Sequence, residues 1–300
     1  VTQSAARTNP LDLFDTNPRL PSSGTVGLTG GCGVTTAALL AESLFRSSGG
    51  TVFLLTAHHE EAEEAFAIWR SLGASAFHFS PLDPIASDVL PNAPALTRRL
   101  EVMRGAAEGA PMLVAGSMAA LMQGAPSTEE AHQWLVPLQG GQRCEPGDLV
   151  QRLAEAGYHR TAIVSEPGDF ALRGDVVDVF PASGEPPFRL DFFDDELESI
   201  RGIDLDSMAS AERRGSTSLL LAPPEVLTRD AQGHLVDGLP GPIASLLLEP
   251  LDLVERGRSA FDRSAIRSVH GPPRVLEAIL NRSTLQVEIS RSLGTAERHL

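Results

Sequence analysis

Lysine is missing altogether, so all 24 basic residues are arginine. Without an ammonium side chain, nothing can reach a bound phosphate as the lysine of a phosphate loop does, form a Schiff base or serve as a lysine base. Tyrosine is nearly missing too, with Tyr158 alone. The two cysteines, Cys32 and Cys144, lie far apart without a C-x-x-C spacing. They carry no metal-ligand signature and fit a reducing cytosol. No apolar run is long enough to span a bilayer, and Val1 opens no charged-then-apolar leader. The expectation is a soluble cytoplasmic protein with no membrane partner.

Basic charge is also in deficit. The formal net charge is −15, which opposes general binding to nucleic acid, where cations against phosphates supply most of the affinity. What is present is ample apolar material: 42% hydrophobic residues in a chain of 300, enough for packed cores. That length predicts two domains, or one inserted into another.

In chain order, the first 25 residues read as a short helix and a loop. A short strand then enters a glycine turn (Gly30, Gly31, Gly33), followed by a helix from Val34 to Phe45. Thr51–Thr56 is a continuous apolar run, as in a strand buried on both faces of a parallel sheet. His59–Leu72 has helical spacing, with Ala62, Phe66 and Trp69 on one side. Strand-like Ser75–Phe79, helical Leu96–Ala107, strand-like Met112–Ala115 and a short helix from Ser117 complete an alternating α/β pattern. The pattern breaks at Gly124–Ala131. Trp134–Leu138 then reads as a strand, Pro146–Ala156 as a helix, and Gly157–Asp206 as strands joined by turns. From Ser216 buried character returns, ending in a helix at Val275–Leu280 and a strand at Leu285–Ile289. The predicted fold is therefore an α/β parallel-sheet domain (residues 1–128 and 216–300) interrupted by an inserted α+β domain with an antiparallel sheet (residues 129–215).

The glycine turn sits where phosphate loops sit, between a strand and a helix. The full pattern needs G-x-x-x-x-G-K-[ST]. Here Leu28 stands at the first glycine and Val34 at the lysine, so the loop supports the fold and argues against ATP hydrolysis. No cofactor and no catalytic residue are expected. Leu251–Glu255 has the look of a strand ending in a carboxylate, yet without the lysine and with Arg256 next it reads as an ordinary strand end. His58 and His59 are adjacent, which does not place them on one helical face, and a solvated helix start is the plainer reading. Asp194–Asp195–Glu196 reads as a polar hairpin turn rather than a cation site.

The β-rich stretch carries the strongest pattern. In Phe188–Phe193 alternation puts Leu190 and Phe192 on the core side and Arg189, Asp191 and Phe193 on the other. In Phe170–Arg173 it puts Phe170 and Leu172 inward, with Ala171 and Arg173 outward. Arginine and aromatic side chains on rigid strands are the usual anchors of protein interfaces. A lone exposed phenylalanine among solvated charges gives the same pattern. Under the interface reading, Asp191 orients Arg189 or meets a cation.

The segment GDFALRGDVVDVFP followed by FRLDFFDDELESIRGIDLDS resembles the domain shared by the excision-repair protein UvrB and the transcription-repair coupling factors (Mfd), with the order and spacing of its elements intact. Met208-Ala209-Ser210 departs from the Gln-Arg-Ser or Gln-Arg-Thr usual in the coupling factors. The lack of lysine and of a tyrosine-rich hairpin, and the stretch SPLDPIASDVLPNAPALTRRL, point to the coupling factors rather than to UvrB. The resemblance implies a degenerate phosphate-loop NTPase-like domain carrying an inserted one (UvrB-like domains 1 and 2). It implies a non-catalytic module that binds UvrA, with RNA polymerase, DNA and an ATP-dependent translocase activity reached only through domains beyond this chain. The family's UvrA-contacting arginines fall on Arg173 and Arg189, and its contacting phenylalanine on Phe193. Two other functions stay open: a UvrB-like ATP-dependent DNA-damage-binding protein, and a module that contacts the rest of its own full-length chain to restrain a motor.

Overall fold

Thr51–Thr56 is buried at every residue, and the rest of its sheet is arranged to bury it. A computed structural model of the chain describes residues 20–29, 33–82, 93–223, 233–263 and 270–291. The expected helix at the start of the chain, Gly30, Gly31 and Cys32 of the glycine turn, and residues 83–92 lie outside the described residues.

Strand β1 (Gly24–Thr29), helix α1 (Val34–Ser48), β2 (Thr51–Thr56), α2 (His59–Ser71), β3 (Ala76–Phe79), α3 (Ala93–Glu108), β4 (Leu113–Ser117) and α4 (Met118–Met122) alternate as predicted. The middle of the chain gives α5 (Thr128–Trp134), β5 (Leu135–Gln139), α6 (Pro146–Glu155), β6 (His159–Arg160), β7 (Asp169–Arg173), β8 (Val176–Val179), β9 (Phe188–Phe193), β10 (Glu196–Ile203), β11 (Ser210–Arg214) and β12 (Ser216–Leu220). The last part gives α7 (Leu235–Gly238), β13 (Ile243–Leu248), α8 (Pro250–Arg263), α9 (Pro272–Arg282) and β14 (Ser283–Ser290).

Six of these strands form an all-parallel sheet in the order β1-β14-β13-β2-β4-β3. Parallel strands need both faces covered. The alanines of α1 and α2 (Ala37, Ala38, Ala41, Ala62, Ala65) let those helices close on one face, over Leu54, Leu246 and Val287. Trp69 donates to the Ala38 carbonyl at 2.7 Å and ties the two helices together. The other face holds Phe53, Leu55 and Val114 under Met118, Leu253, Val275 and Ile279. Arg99 is buried against that side. Its guanidinium lies 4.1 Å from the Phe79 ring centroid and donates to the carbonyls of Ser80, Ala120 and Gly124 and to Gln123 Oε1. Burial lowers its pKa to about 9.

The second sheet has the order β11-β10-β9-β8-β7-β6, antiparallel except for β6 on β7. One face is apolar (Phe170, Val177, Phe188, Leu190, Phe192, Ile200) and is closed by Leu149 and Leu153 of α6. The two layers meet where α3 packs against the segment after β8. Leu100 and Met103 there join Leu220 and Ala222, and Arg104 pairs with Glu185.

Three expectations change, and one strand is not predicted. Helix α5 precedes the strand expected at Trp134. Ser127 caps it, and Glu130 returns the bond in a capping box. The strand-like run after Ser216 is β12, which pairs with β5 in a separate two-stranded sheet and not with the parallel sheet. Leu251–Glu255 is not a strand but part of α8, started by Pro250; the buried strand is β13, just before it. Strand β11 has no apolar alternation and is largely exposed, which hides it from pattern reading.

A basic and aromatic face on the antiparallel sheet

Strand β9 fixes the site. Leu190 and Phe192 are buried, while Phe193 is 76% exposed, as period-two alternation requires. The turn after it, Asp194–Asp195, is a two-residue hairpin connection with Asp194 at φ 56°, a backbone state that aspartate tolerates.

The arginines are organised by a residue that alternation does not single out. Asp178 lies in β8, directly opposite Ala171 on one side and Arg189 on the other. It is the only carboxylate between buried valines of that strand, and its side chain is fully buried (0% exposed). Arg189 grips it with two hydrogen bonds, Nε to Oδ1 at 2.7 Å and Nη2 to Oδ2 at 2.9 Å. Arg173, two residues further along β7 than Ala171, donates to the same Oδ2. Hydrogen bonding to Asp178, with a smaller opposing effect of burial, raises the Arg189 pKa above its ordinary value. One buried carboxylate thus holds two guanidiniums side by side.

Exposure then differs from the simple expectation. Arg173 keeps 47% of its side chain exposed, but Arg189 keeps 18% because it leans onto Asp178. Ala171, expected to face outward, is buried by a small cluster that includes Val164 and Ile203. Leu172, expected to be buried, is only partly so. Asp191 does not orient Arg189. It accepts from Ser199 Oγ and pairs with Arg201 Nη2 at 3.2 Å, both on β10. The structure therefore brings Arg173 and Arg189 together at Asp178, and Asp191 together with Arg201.

Other candidates resolve differently. His58 caps α2 and lies 3.4 Å from Asp252. His59 stacks on His78 with ring centroids 5.2 Å apart, so it is not simply a solvated helix start. Arg98 Nη1 lies 2.7 Å from His78 Nδ1. A guanidinium only donates, so that nitrogen is the acceptor and His78 is neutral. Burial, reinforced by Arg98 and His59, lowers its pKa to about 3. Among the described residues no group of three or more His, Cys, Asp or Glu side chains could hold a metal ion. No helix among them is long and apolar enough to cross a membrane.

Residues 136–223, which include every strand of this face, match the family described as the UvrB interaction domain. The chain is also similar to a series of transcription-repair-coupling factors. The one from Bacillus subtilis is 27% identical over 213 residues, covering 70% of this chain and 18% of the relative. That from Staphylococcus aureus strain RF122 is 28% identical over 144 residues (48% and 12%). That from Escherichia coli K12 is 41% identical over 91 residues (30% and 8%). The matched part of the chain thus spans less than a fifth of the length of these relatives. Asp178, Arg173, Arg189, Asp191 and Phe193 all fall inside the matched residues.

Proposed function

We propose that this chain is a non-catalytic recruitment module that binds UvrA through the exposed face of the antiparallel sheet. In this role it brings nucleotide excision repair to stalled RNA polymerase as part of a transcription-repair-coupling factor. Phe193 enters an apolar recess of the partner, and Arg173 and Arg189 meet its acidic groups, with Asp191 at the centre of the footprint. The observation that carries the reading is the pairing of a 76% exposed Phe193 with two arginines braced on buried Asp178, all within the UvrB interaction domain. Aromatic and arginine anchors held rigid before binding lose little conformational entropy on association. RNA polymerase, DNA and ATP-driven translocation belong in this reading to the rest of a longer protein, in the cytoplasm. Calorimetry of the chain against UvrA tests it, with saturable binding that is lost on Phe193→Ala as the expected result.

The parallel-sheet part is, on this reading, a degenerate phosphate-loop NTPase-like scaffold. Its support is the strand-glycine-helix order of β1 and α1, and Val34 buried in the core where a phosphate-loop lysine would stand. The competing ATP-dependent, UvrB-like function predicts saturable ATP·Mg²⁺ binding, and titration with that ligand separates the two. We further propose that the parallel-sheet unit is interrupted by an insert starting near residue 129. The pairing of β12 with β5 supports ending that insert after Leu220 rather than at residue 215.

A further inference from the structure

We infer that the partner-binding face extends beyond Arg173, Arg189 and Phe193 to a row of arginines crossing β9, β10 and β11, and that the row meets a carboxylate-rich protein surface. The inference rests on the recruitment reading above and adds residues and a partner chemistry to it.

The strand register supplies the row. Arg189 of β9 is directly opposite Arg201 of β10, and Arg201 is directly opposite Arg213 of β11. Directly opposed residues point to the same side of a sheet, so the three guanidiniums share one face and span two strand spacings, about 10 Å. Like charges set opposite one another are unfavourable unless countered. The counter-charges near them are few. Asp178 is already taken by Arg173 and Arg189. Asp191 is taken by Ser199 and Arg201. Arg213 donates only to the Glu198 backbone carbonyl, at 3.0 Å, and has no carboxylate partner among the described residues. Four arginines thus face two carboxylates, in a chain whose total is −15. Exposure follows the same gradient: Arg201 keeps 44% of its side chain in solvent and Arg213 is exposed.

The surroundings decide what fits this row. Glu196 lies opposite Phe193, and the Asp194–Asp195 turn adjoins it, so the aromatic end of the face is acidic. An extended phosphate backbone would be repelled there and by the rest of the chain. A folded partner with clustered carboxylates opposite the arginines and an apolar recess for Phe193 meets both ends. Charges at the edge of an interface act mainly on the association rate and its salt dependence. Arg201 and Arg213 should therefore steer docking while Phe193 governs how long the complex lasts.

Surface plasmon resonance of the chain against UvrA at several salt concentrations tests this. The expected result is that Arg213→Glu and Arg201→Glu each slow association about tenfold and flatten its salt dependence. Arg160→Glu, on the opposite edge strand β6, should stay within twofold of the parent. Arg213→Glu removes one bond to a backbone carbonyl, so it keeps the test valid if Arg201→Glu lowers the melting temperature. If both variants associate at the parental rate or faster while Phe193→Ala loses binding, the extension is wrong and the recruitment reading stands. If Phe193→Ala and Arg189→Ala also bind fully, both are wrong. Competition for the face by a duplex or single-stranded oligonucleotide would overturn the assigned partner class.

Discussion

Arg189 and Asp178 sit directly opposite on neighbouring strands and are joined by two hydrogen bonds of 2.7 and 2.9 Å. The forked geometry fixes the guanidinium plane as well as its position. The carboxylate is buried and the arginine is partly wet, so the pair works as a bracket: its inner half belongs to the fold and its outer half to the surface.

Asp178→Ala removes the inner half. It leaves two guanidiniums close together without their shared carboxylate and should destabilise the chain by about 1.5–3 kcal/mol. Chemical denaturation measures the loss. A variant as stable as the parent would show that Asp178 does not hold the arginines.

Phe193→Ala should do the reverse. At 76% exposure the ring contributes little to the fold, so stability should change by no more than about 0.5 kcal/mol. Binding of UvrA should weaken by about 2 kcal/mol or more. Thermal melting and calorimetry on one sample separate the two effects.

Helix α8 crosses α4 and α9 at Gly257, where an added Cβ would lie 2.7 Å from Pro272 Cγ and 2.9 Å from Met118 Cγ. Gly257→Ala should therefore destabilise by about 1–3 kcal/mol through overpacking, although alanine is the better helix former. A gain in melting temperature would show that the contact relaxes freely.

His78 makes stability pH-dependent. Its folded pKa is lowered from 6.5 to about 3, so below pH 6.5 the unfolded chain binds a proton that the folded chain refuses. Its stabilising effect is complete above pH 6.5 and falls as pH drops towards 3, by up to about 1.4 kcal/mol per unit. His78→Gln should lose less stability than the parent between pH 6.5 and 5. Equal slopes for the two proteins would exclude this histidine as the cause.

The sheet core and the exposed aromatic of β9 are legible because period-two alternation is strict. Leu190, Phe192 and Phe193 fall on the expected sides, and the all-buried run Thr51–Thr56 lies inside the parallel sheet with β4 and β13 as its neighbours. Ala171 departs from expectation because alternation says which side a residue faces, not what covers it. Its cover comes partly from Val164 in the preceding loop. Asp178 escapes pattern reading because a carboxylate in a valine strand looks like an interruption until its long-range partners are known. The Ser127-x-x-Glu130 box was readable and would have placed α5. Leu251–Glu255 alternates over too short a window to separate strand from helix, and Pro250 was the better guide.

The recruitment proposal requires that the braced arginine–phenylalanine face bind UvrA. Isothermal titration of UvrA with the parent chain and with the Arg173→Ala, Arg189→Ala double variant tests it most directly, with circular dichroism confirming that both are folded. Saturable binding by the parent and at least a tenfold loss in the double variant is the predicted result. Equal affinity for the two proteins would contradict it.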